Sequence, residues 1–212
     1  KKFFNIRLLK QKNILMKILI IPTVREPYNQ QFEYSVDQKL ILFLKKTYRN
    51  AQIFILNDIK KIKTFDLIVL SGGNSLNSIY KKDVIRKKID KTIFKIAIKN
   101  QIKLLGICYG AQFLADKLKL NLSKSKSHIG KHSSIFYFKN KMIKKKVNSF
   151  HDTIINENKD KNFINCFGYA FDNSVEAFHY QKFKILGIMW HPERYKKYND
   201  FDFKLLRKFY AS

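Results

Sequence analysis

Proline and glycine are scarce in this chain, at 3 and 7 of 212 residues. With so few, no stretch is rich enough in either to act as a linker between domains, and a single domain is the economical expectation. Cysteine occurs only at Cys108 and Cys166, which excludes a disulfide framework and offers no metal-ligand pattern. Two thiols suit a reducing compartment, each one either structural or reactive. No apolar run approaches the ~20 residues that a membrane-spanning helix needs, so no membrane partner is expected. Acidic residues are also few: 16 against 43 lysines and arginines, for a formal net charge of +27. The basic residues are spread along the chain in short clusters such as 144–146, among many Ile, Asn, Phe and Tyr. That distribution reads as compositional bias on solvated faces rather than a nucleic-acid surface, and it still favours an anionic small substrate. A cytoplasmic protein without a nucleic-acid partner is expected.

What is present is a globular composition, 45% hydrophobic and 15% aromatic. Residues 1–15, KKFFNIRLLKQKNIL, have basic ends but neither a long apolar core nor a small-residue cleavage site. They read as an N-terminal extension rather than a signal peptide, with one domain over 16–212. Short apolar runs at 17–22, 51–56, 65–70 and 102–107 predict buried strands, and helical spacing recurs over 35–48 and 84–99. This alternation predicts an α/β domain with a mostly parallel central sheet flanked by helices. The second half carries strand-like runs at 133–138, 141–147, 162–170, 175–180 and 183–189, and a helical spacing over 201–210. In parallel sheets, sites lie at the carboxyl ends of strands, where Gly72-Gly73 and Cys108 both fall.

Cys108 stands in GICYGAQ, between a predicted strand and a helix, with Gly106 and Gly110 two residues to either side. G-x-C-x-G is a nucleophile elbow with Cys as the nucleophile. The turn is too tight for side chains at the flanking positions, and the helix N-terminus beneath the sulfur favours a thiolate. The candidate base among five histidines is His191 in MWHPERY, because Glu193 lies two residues on. In an extended segment those side chains project to one side, and Pro192 disfavours a helix at His191. Glu193 can then orient the imidazole, the part an acid plays in a catalytic triad. Cys166 sits in a strand-like run with no base nearby and reads as core. His128 and His132 in SHIGKH lack a third ligand in register and read as loop residues, so neither metal nor cofactor is expected.

In this order, GICYGAQ, VNSFH and WHPE make the chain similar to the class I, triad-type glutamine amidotransferase superfamily, in its γ-glutamyl hydrolase branch. The resemblance covers about residues 17–195 and implies a flavodoxin-like α/β fold. It implies a triad of Cys108, His191 and Glu193. It implies an oxyanion hole built from the Gly73 and Tyr109 backbone N–H groups. It also implies substrate contacts from Gln112 and from Asn148, Ser149, Phe150 and His151 on a loop. The Gly-Gly turn is followed by Asn74-Ser75, where the hydrolases usually carry an acidic residue and a longer insertion.

Within the branch the chain is most similar to members that remove glutamate from a γ-glutamyl group on a cytidine diphosphate amidate, in capsule phosphoramidate assembly. The partner implied is a phosphate-bearing small-molecule γ-glutamyl substrate, with Arg25, Lys124, Lys126 and Lys131 as candidate cations. A glutaminase subunit passing ammonia to a separate synthase is the alternative reading. A nucleic-acid binder on this scaffold is a remote third.

Overall fold

A computed structural model describes residues 15–125, 128–139, 141–158, 160 and 163–211, with backbone alone at 59–61. Most of the expected extension, residues 1–14, lies outside the described residues, as does Lys126. Among the described residues the chain forms an 11-stranded sheet, a separate two-stranded hairpin and flanking helices.

The first half builds the parallel part. β1 (Met16–Ile21) is followed by the hairpin β2 (Thr23–Tyr28) and β3 (Gln31–Ser35), then α1 (Gln38–Thr47) and β4 (Ala51–Ile55). β5 (Leu67–Leu70), α2 (Lys81–Lys99), β6 (Lys103–Ile107) and α3 (Tyr109–Lys117) complete it. Strands β1, β5 and β6 are buried on both faces. Ile18 and Ile20 of β1 face one apolar cluster with α1 and the C-terminal helix, whereas Leu19 and Ile21 face another with α2 and α3. This two-sided burial is why the strands read as continuous apolar runs.

The second half adds β7 (Asn121–Lys124), β8 (Ile129–Phe138), β9 (Lys141–Phe150), β10 (Thr153–Asn156), β11 (Asn165–Ala170), β12 (Val175–Tyr180), β13 (Ile185–Ile188) and α4 (Asp200–Ala211). The sheet order is β4-β1-β5-β6-β13-β12-β11-β8-β9. The first five strands run parallel and the remainder pair antiparallel, so the α/β expectation holds with a mixed sheet.

Three differences from the sequence reading have physical causes. α1 begins at Gln38 rather than near 35, because the Asp37 side chain accepts the Lys39 N–H at 2.9 Å and caps the helix there. α2 begins three residues before the expected Val84. The residues it buries early are charged, Asp83, Arg86 and Asp90, and an apolar period does not register them. The segment Asn148–Phe150, expected as a loop, is the end of β9, paired with Ile129–Lys131 of β8.

Candidate active site

The parallel order sets the carboxyl ends of β5, β6 and β13 side by side, with Leu70 opposite Gly106 and Ile107 opposite Ile188. Each strand delivers one part of the site just past its last residue: Gly72-Gly73 after β5, Cys108 after β6 and His191 after β13.

Cys108 has φ 52° and ψ −107°, a left-handed, sparsely populated conformation for a residue with a side chain. Such a residue costs about 1–3 kcal/mol and persists only where the surroundings impose it. The glycines around it are required by close approach. A Cβ on Gly106 would lie 2.6 Å from the backbone of Gly110 and Ala111. A Cβ on Gly110 would lie 2.1 Å from the Leu70 carbonyl oxygen, so the second glycine answers to β5 rather than to the elbow itself. Tyr109 is the first residue of α3, and its N–H therefore has no intrahelical acceptor.

The β5 turn is held from three sides. The Thr23 hydroxyl donates to Gly72 O at 2.7 Å. Asn74 exchanges hydrogen bonds with the Val24 backbone and donates to Asp83 at 2.8 Å. Arg86, fully buried, pairs with Asp90 at 2.9 Å and donates to Pro22 O, Ser71 O and Ser71 Oγ. Gly73 has φ +102°, and a Cβ there would meet the Thr23 side chain at 2.9 Å. The Asn74 that departs from the family pattern is thus a clamp on the turn.

His191 Nδ1 lies 2.7 Å from Glu193 Oε1, with both side chains buried. The spacing of two residues works, but not in extended chain: Pro192–Arg194 form a 3-10 turn that brings the carboxylate back under the ring. Burial alone would lower the pKa of His191. Its contacts with the Cys108 thiol and the Glu193 carboxylate outweigh that and lift it to about 9. The segment is fixed by Asn148, whose backbone and side-chain oxygens both accept the His191 N–H, at 3.1 and 3.2 Å. Trp190 next to it is fully buried and donates to Asp202 of α4.

A cavity of about 410 Å³ opens over these groups, lined by Gly73, Cys108, Gln112, Phe150, His151, His191 and Arg194 among others. Gln112 donates to Thr153 O at 3.0 Å, which ties the elbow helix to β10. Of the four residues expected to contact substrate from one loop, the strand geometry divides the set. Phe150 and His151 line the cavity, whereas Ser149 is fully buried and Asn148 turns to His191 and to a neighbouring cavity. Burial pulls the His151 imidazole down to about 4. Cys166 is set apart on β11, its thiol pushed up to about 12 by burial.

Two further cavities adjoin the first. One of about 640 Å³ carries Arg25 and Lys82, and another of about 590 Å³ carries Lys39, Lys131, Lys196 and Lys197. Arg194 lines all three, with its guanidinium 5.8 Å from the centre of the Phe150 ring. Arg25 and Lys131 were expected as cations, but Lys124 is paired with Asp152 at 2.6 Å. The sequence reading missed Arg194, although it directly follows Glu193, and it missed Lys39, Lys196 and Lys197. Their spacing gives no hint that they converge. It also missed the convergence of His128 and His132 with His151 and Glu176 behind the cavity wall.

The family profile of the class I glutamine amidotransferases matches residues 28–211. This chain belongs to that family. A γ-glutamyl-CDP-amidate hydrolase of Campylobacter jejuni subsp. jejuni serotype O:2 is 42% identical to this amidotransferase domain over 130 residues, which are 60% of this chain and 62% of the relative. The glutamine-hydrolysing GMP synthase of Spiroplasma kunkelii is 32% identical over 143 residues, 64% of this chain and 26% of that protein. The match therefore spans less than two thirds of either relative's length.

Among solved structures, a glutamine amidotransferase from Thermotoga maritima superposes with a TM-score of 0.65 at 17% identity, covering 84% of this chain and 76% of the other. One from Methylobacillus flagellatus gives 0.61 at 12%, covering 85% and 71%. At these identities the likeness speaks for the fold alone, which is the amidotransferase α/β fold. Among the described residues no helix is long and apolar enough to cross a membrane.

Proposed function

We propose that this amidotransferase-family protein hydrolyses a γ-glutamyl amide through a glutamyl thioester on Cys108. The observation that carries the reading is the elbow cysteine at positive φ beside a histidine whose Nδ1 sits 2.7 Å from a buried carboxylate. Cys108 passes its thiol proton to His191 Nε2 as Sγ attacks the γ-carbonyl carbon, and the oxygen, now negative, accepts from the Gly73 and Tyr109 N–H groups. The C–N bond breaks as His191 delivers its Nε2 proton to the leaving nitrogen. His191 then takes a proton from water, the hydroxide displaces the sulfur from the thioester, and glutamate leaves. Glu193 holds the imidazole in one orientation and balances the charge it carries. Gln112, Phe150 and His151 contact the glutamyl group from the cavity wall. The chemistry needs no cofactor.

For the leaving group, we infer an amine bearing phosphate, as in the activity named for the Campylobacter relative. The support is electrostatic and local. Arg25, Lys82 and Arg194 line one cavity beside the Cys108 site together with Glu26, Asp37 and Glu193, Arg194 lying 3.7 Å from both Asp37 and Glu193. Lys39, Lys131, Lys196 and Lys197 gather with Arg194 and Asp37 in the other. Each cation that meets a phosphate oxygen contributes a charge-assisted hydrogen bond of roughly 1.5–3 kcal/mol, which free glutamine forgoes. Two reduced thiols agree with action in the cytoplasm.

The test offers the purified protein γ-glutamyl amides carrying a nucleoside diphosphate, a folate-like group, a polyamine or nothing. A kcat/KM highest for the diphosphate, falling with added salt, is the expected result. Preference for an uncharged or cationic amide, insensitive to salt, contradicts the phosphate-bearing leaving group and leaves the thioester chemistry standing. The similarity to GMP synthases favours a second reading, a glutaminase that serves a separate synthase. Glutamine turnover that emerges only when a synthase is added is its signature.

A further inference from the structure

Behind the Phe150–His151 wall of the cavity, three histidines converge on one carboxylate. Glu176 on β12 is almost fully buried, and its Oε1 lies 3.1 Å from His132 Nε2, 3.4 Å from His128 Nδ1 and 3.9 Å from His151 Nε2. The side chains of His128, His132 and His151 are 0%, 8% and 3% exposed. Read as a set of proton-mediated pairs, the cluster is poorly satisfied. His151 has no protein hydrogen-bond partner on either ring nitrogen among the described residues, and Glu176 Oε2 and His128 Nδ1 have none either. Leaving such atoms bare in the interior costs about 1–3 kcal/mol each.

We propose that His128, His151 and the Glu176 carboxylate, whose ligand atoms all lie within 4.8 Å of one another, form a buried site for one first-row divalent cation, zinc being the best match to this ligand set, with His132 at its edge 3.1 Å from Glu176.

Four observations carry it. Around a tetrahedral zinc with bonds of about 2.0–2.1 Å, neighbouring ligand atoms stand about 3.3 Å apart, and Glu176 Oε1 stands 3.4 Å from His128 Nδ1 and 3.9 Å from His151 Nε2. Two imidazoles on such an ion have ring centres about 5.2 Å apart by the same geometry. The His128 and His151 centres are 5.1 Å apart.

The other nitrogen of His128, Nε2, meets Asp172 Oδ2 at 2.9 Å. That contact keeps a proton on Nε2 and leaves the Nδ1 lone pair toward the cluster, the carboxylate–histidine–metal arrangement. The Asp172 carboxylate is itself held by the Ser174 hydroxyl and backbone N–H.

The charges balance, since Glu176 and Asp172 supply two negative charges against a dication with neutral imidazoles, and a neutral buried set avoids the cost of unpaired charge.

All three ligands are buried away from solvent, so the ion is structural. It ties the end of β9, which carries Phe150 and His151 into the cavity, to β8 and β12. The proposal does not rest on the thioester chemistry, although His151 belongs to both the cluster and the cavity wall.

The test uses the full chain carrying Cys108→Ala, so that the elbow thiol cannot compete for metal. Chelator-treated protein is titrated with Co²⁺ and then with Zn²⁺, following the visible ligand-field bands of cobalt, and metal content and Tm are measured in parallel. The proposal expects one ion per chain, a tetrahedral cobalt spectrum bleached by zinc, and a Tm raised by zinc. Glu176→Gln and His128→Gln abolish the spectrum, and His179→Gln, far from the cluster, leaves it unchanged. Should the first two fail to fold, Asp172→Asn keeps every ligand and is expected to weaken binding about 10–100-fold. No cobalt spectrum at micromolar metal overturns the site. So does binding that is equally tight in Glu176→Gln and Asp172→Asn.

Discussion

Replacing Glu193 by Gln removes one negative charge from beneath the His191 ring and changes little else, because the side chain keeps its length and its Oε1 acceptor. His191 is raised from 6.5 to about 9 although burial pulls it down. The net shift corresponds to about 3 kcal/mol favouring the imidazolium. Glu193 and Cys108 are the two contacts that sustain it.

With the charge gone, burial opposes the Cys108 contact alone, and the pKa is expected to fall by about 1–2 units, the effect of one opposite charge at hydrogen-bond range. In the thioester mechanism the imidazolium delivers the proton to the leaving amine, so its pKa sets the basic limb of kcat/KM. Wild type is expected to lose activity as pH rises through about 9. Glu193→Gln is expected to lose it about 1–2 units lower, and to be slower at its optimum by about 10²–10⁴-fold, as when a triad acid becomes its amide.

Stability reports the same linkage. A base whose folded pKa is raised stabilises fully below its unfolded pKa and loses that contribution as pH rises through the folded one. The Tm gap between wild type and Glu193→Gln should be widest below pH 6.5 and close toward pH 9. The measurements are kcat/KM for a γ-glutamyl amide against pH, and thermal melts at the same pH values. A variant with an unmoved basic limb and near-wild-type kcat refutes the assignment of Glu193.

Gly73→Ala forces a Cβ against Thr23 and twists the turn that presents the Gly73 N–H, so kcat should drop about 10²–10³-fold while the Cys108 thiol alkylates at its usual rate. An unchanged kcat removes Gly73 from the oxyanion site. Arg86→Ala strands the buried Asp90 carboxylate and frees both strand ends, and denaturant melts should show a loss of about 3–5 kcal/mol. Arg86→Lys should not restore it, because an ammonium cannot replace a fork that reaches five acceptor atoms. Near neutral pH, iodoacetamide should label Cys108 well before Cys166, whose thiol burial holds near 12, and peptide mapping that finds Cys166 labelled first contradicts this.

The parts of the site fixed by local sterics were readable in the sequence. Gly106 and Gly110 mark the elbow because no other residue fits between β5, β6 and α3, and His191 and Glu193 are joined by two covalent steps. Four of the five parallel strands were readable because both faces are buried, whereas β4, largely exposed, was readable from its apolar run alone. β2 and β3 were not, since their hairpin leaves the sheet and buries few apolar side chains. Asn148–Phe150 hid as a loop because Val147, Asn148 and Ser149 are buried in succession, two of them polar, which breaks the alternation a strand usually shows. The cluster of His128, His132, His151 and Glu176 could not be read at all. Its members meet only through the antiparallel pairings that lay β8 and β9 beside β11 and β12.

The central claim is that Cys108 becomes covalently glutamylated, and an acid quench tests it most directly. Enzyme in excess over a γ-glutamyl amide is stopped at early times and analysed by intact and peptide mass spectrometry. The account predicts an increment of one glutamyl group on the peptide containing Cys108, rising and decaying within a turnover and absent in Cys108→Ala. Hydrolysis that persists in folded Cys108→Ala, with no adduct in wild type, contradicts it.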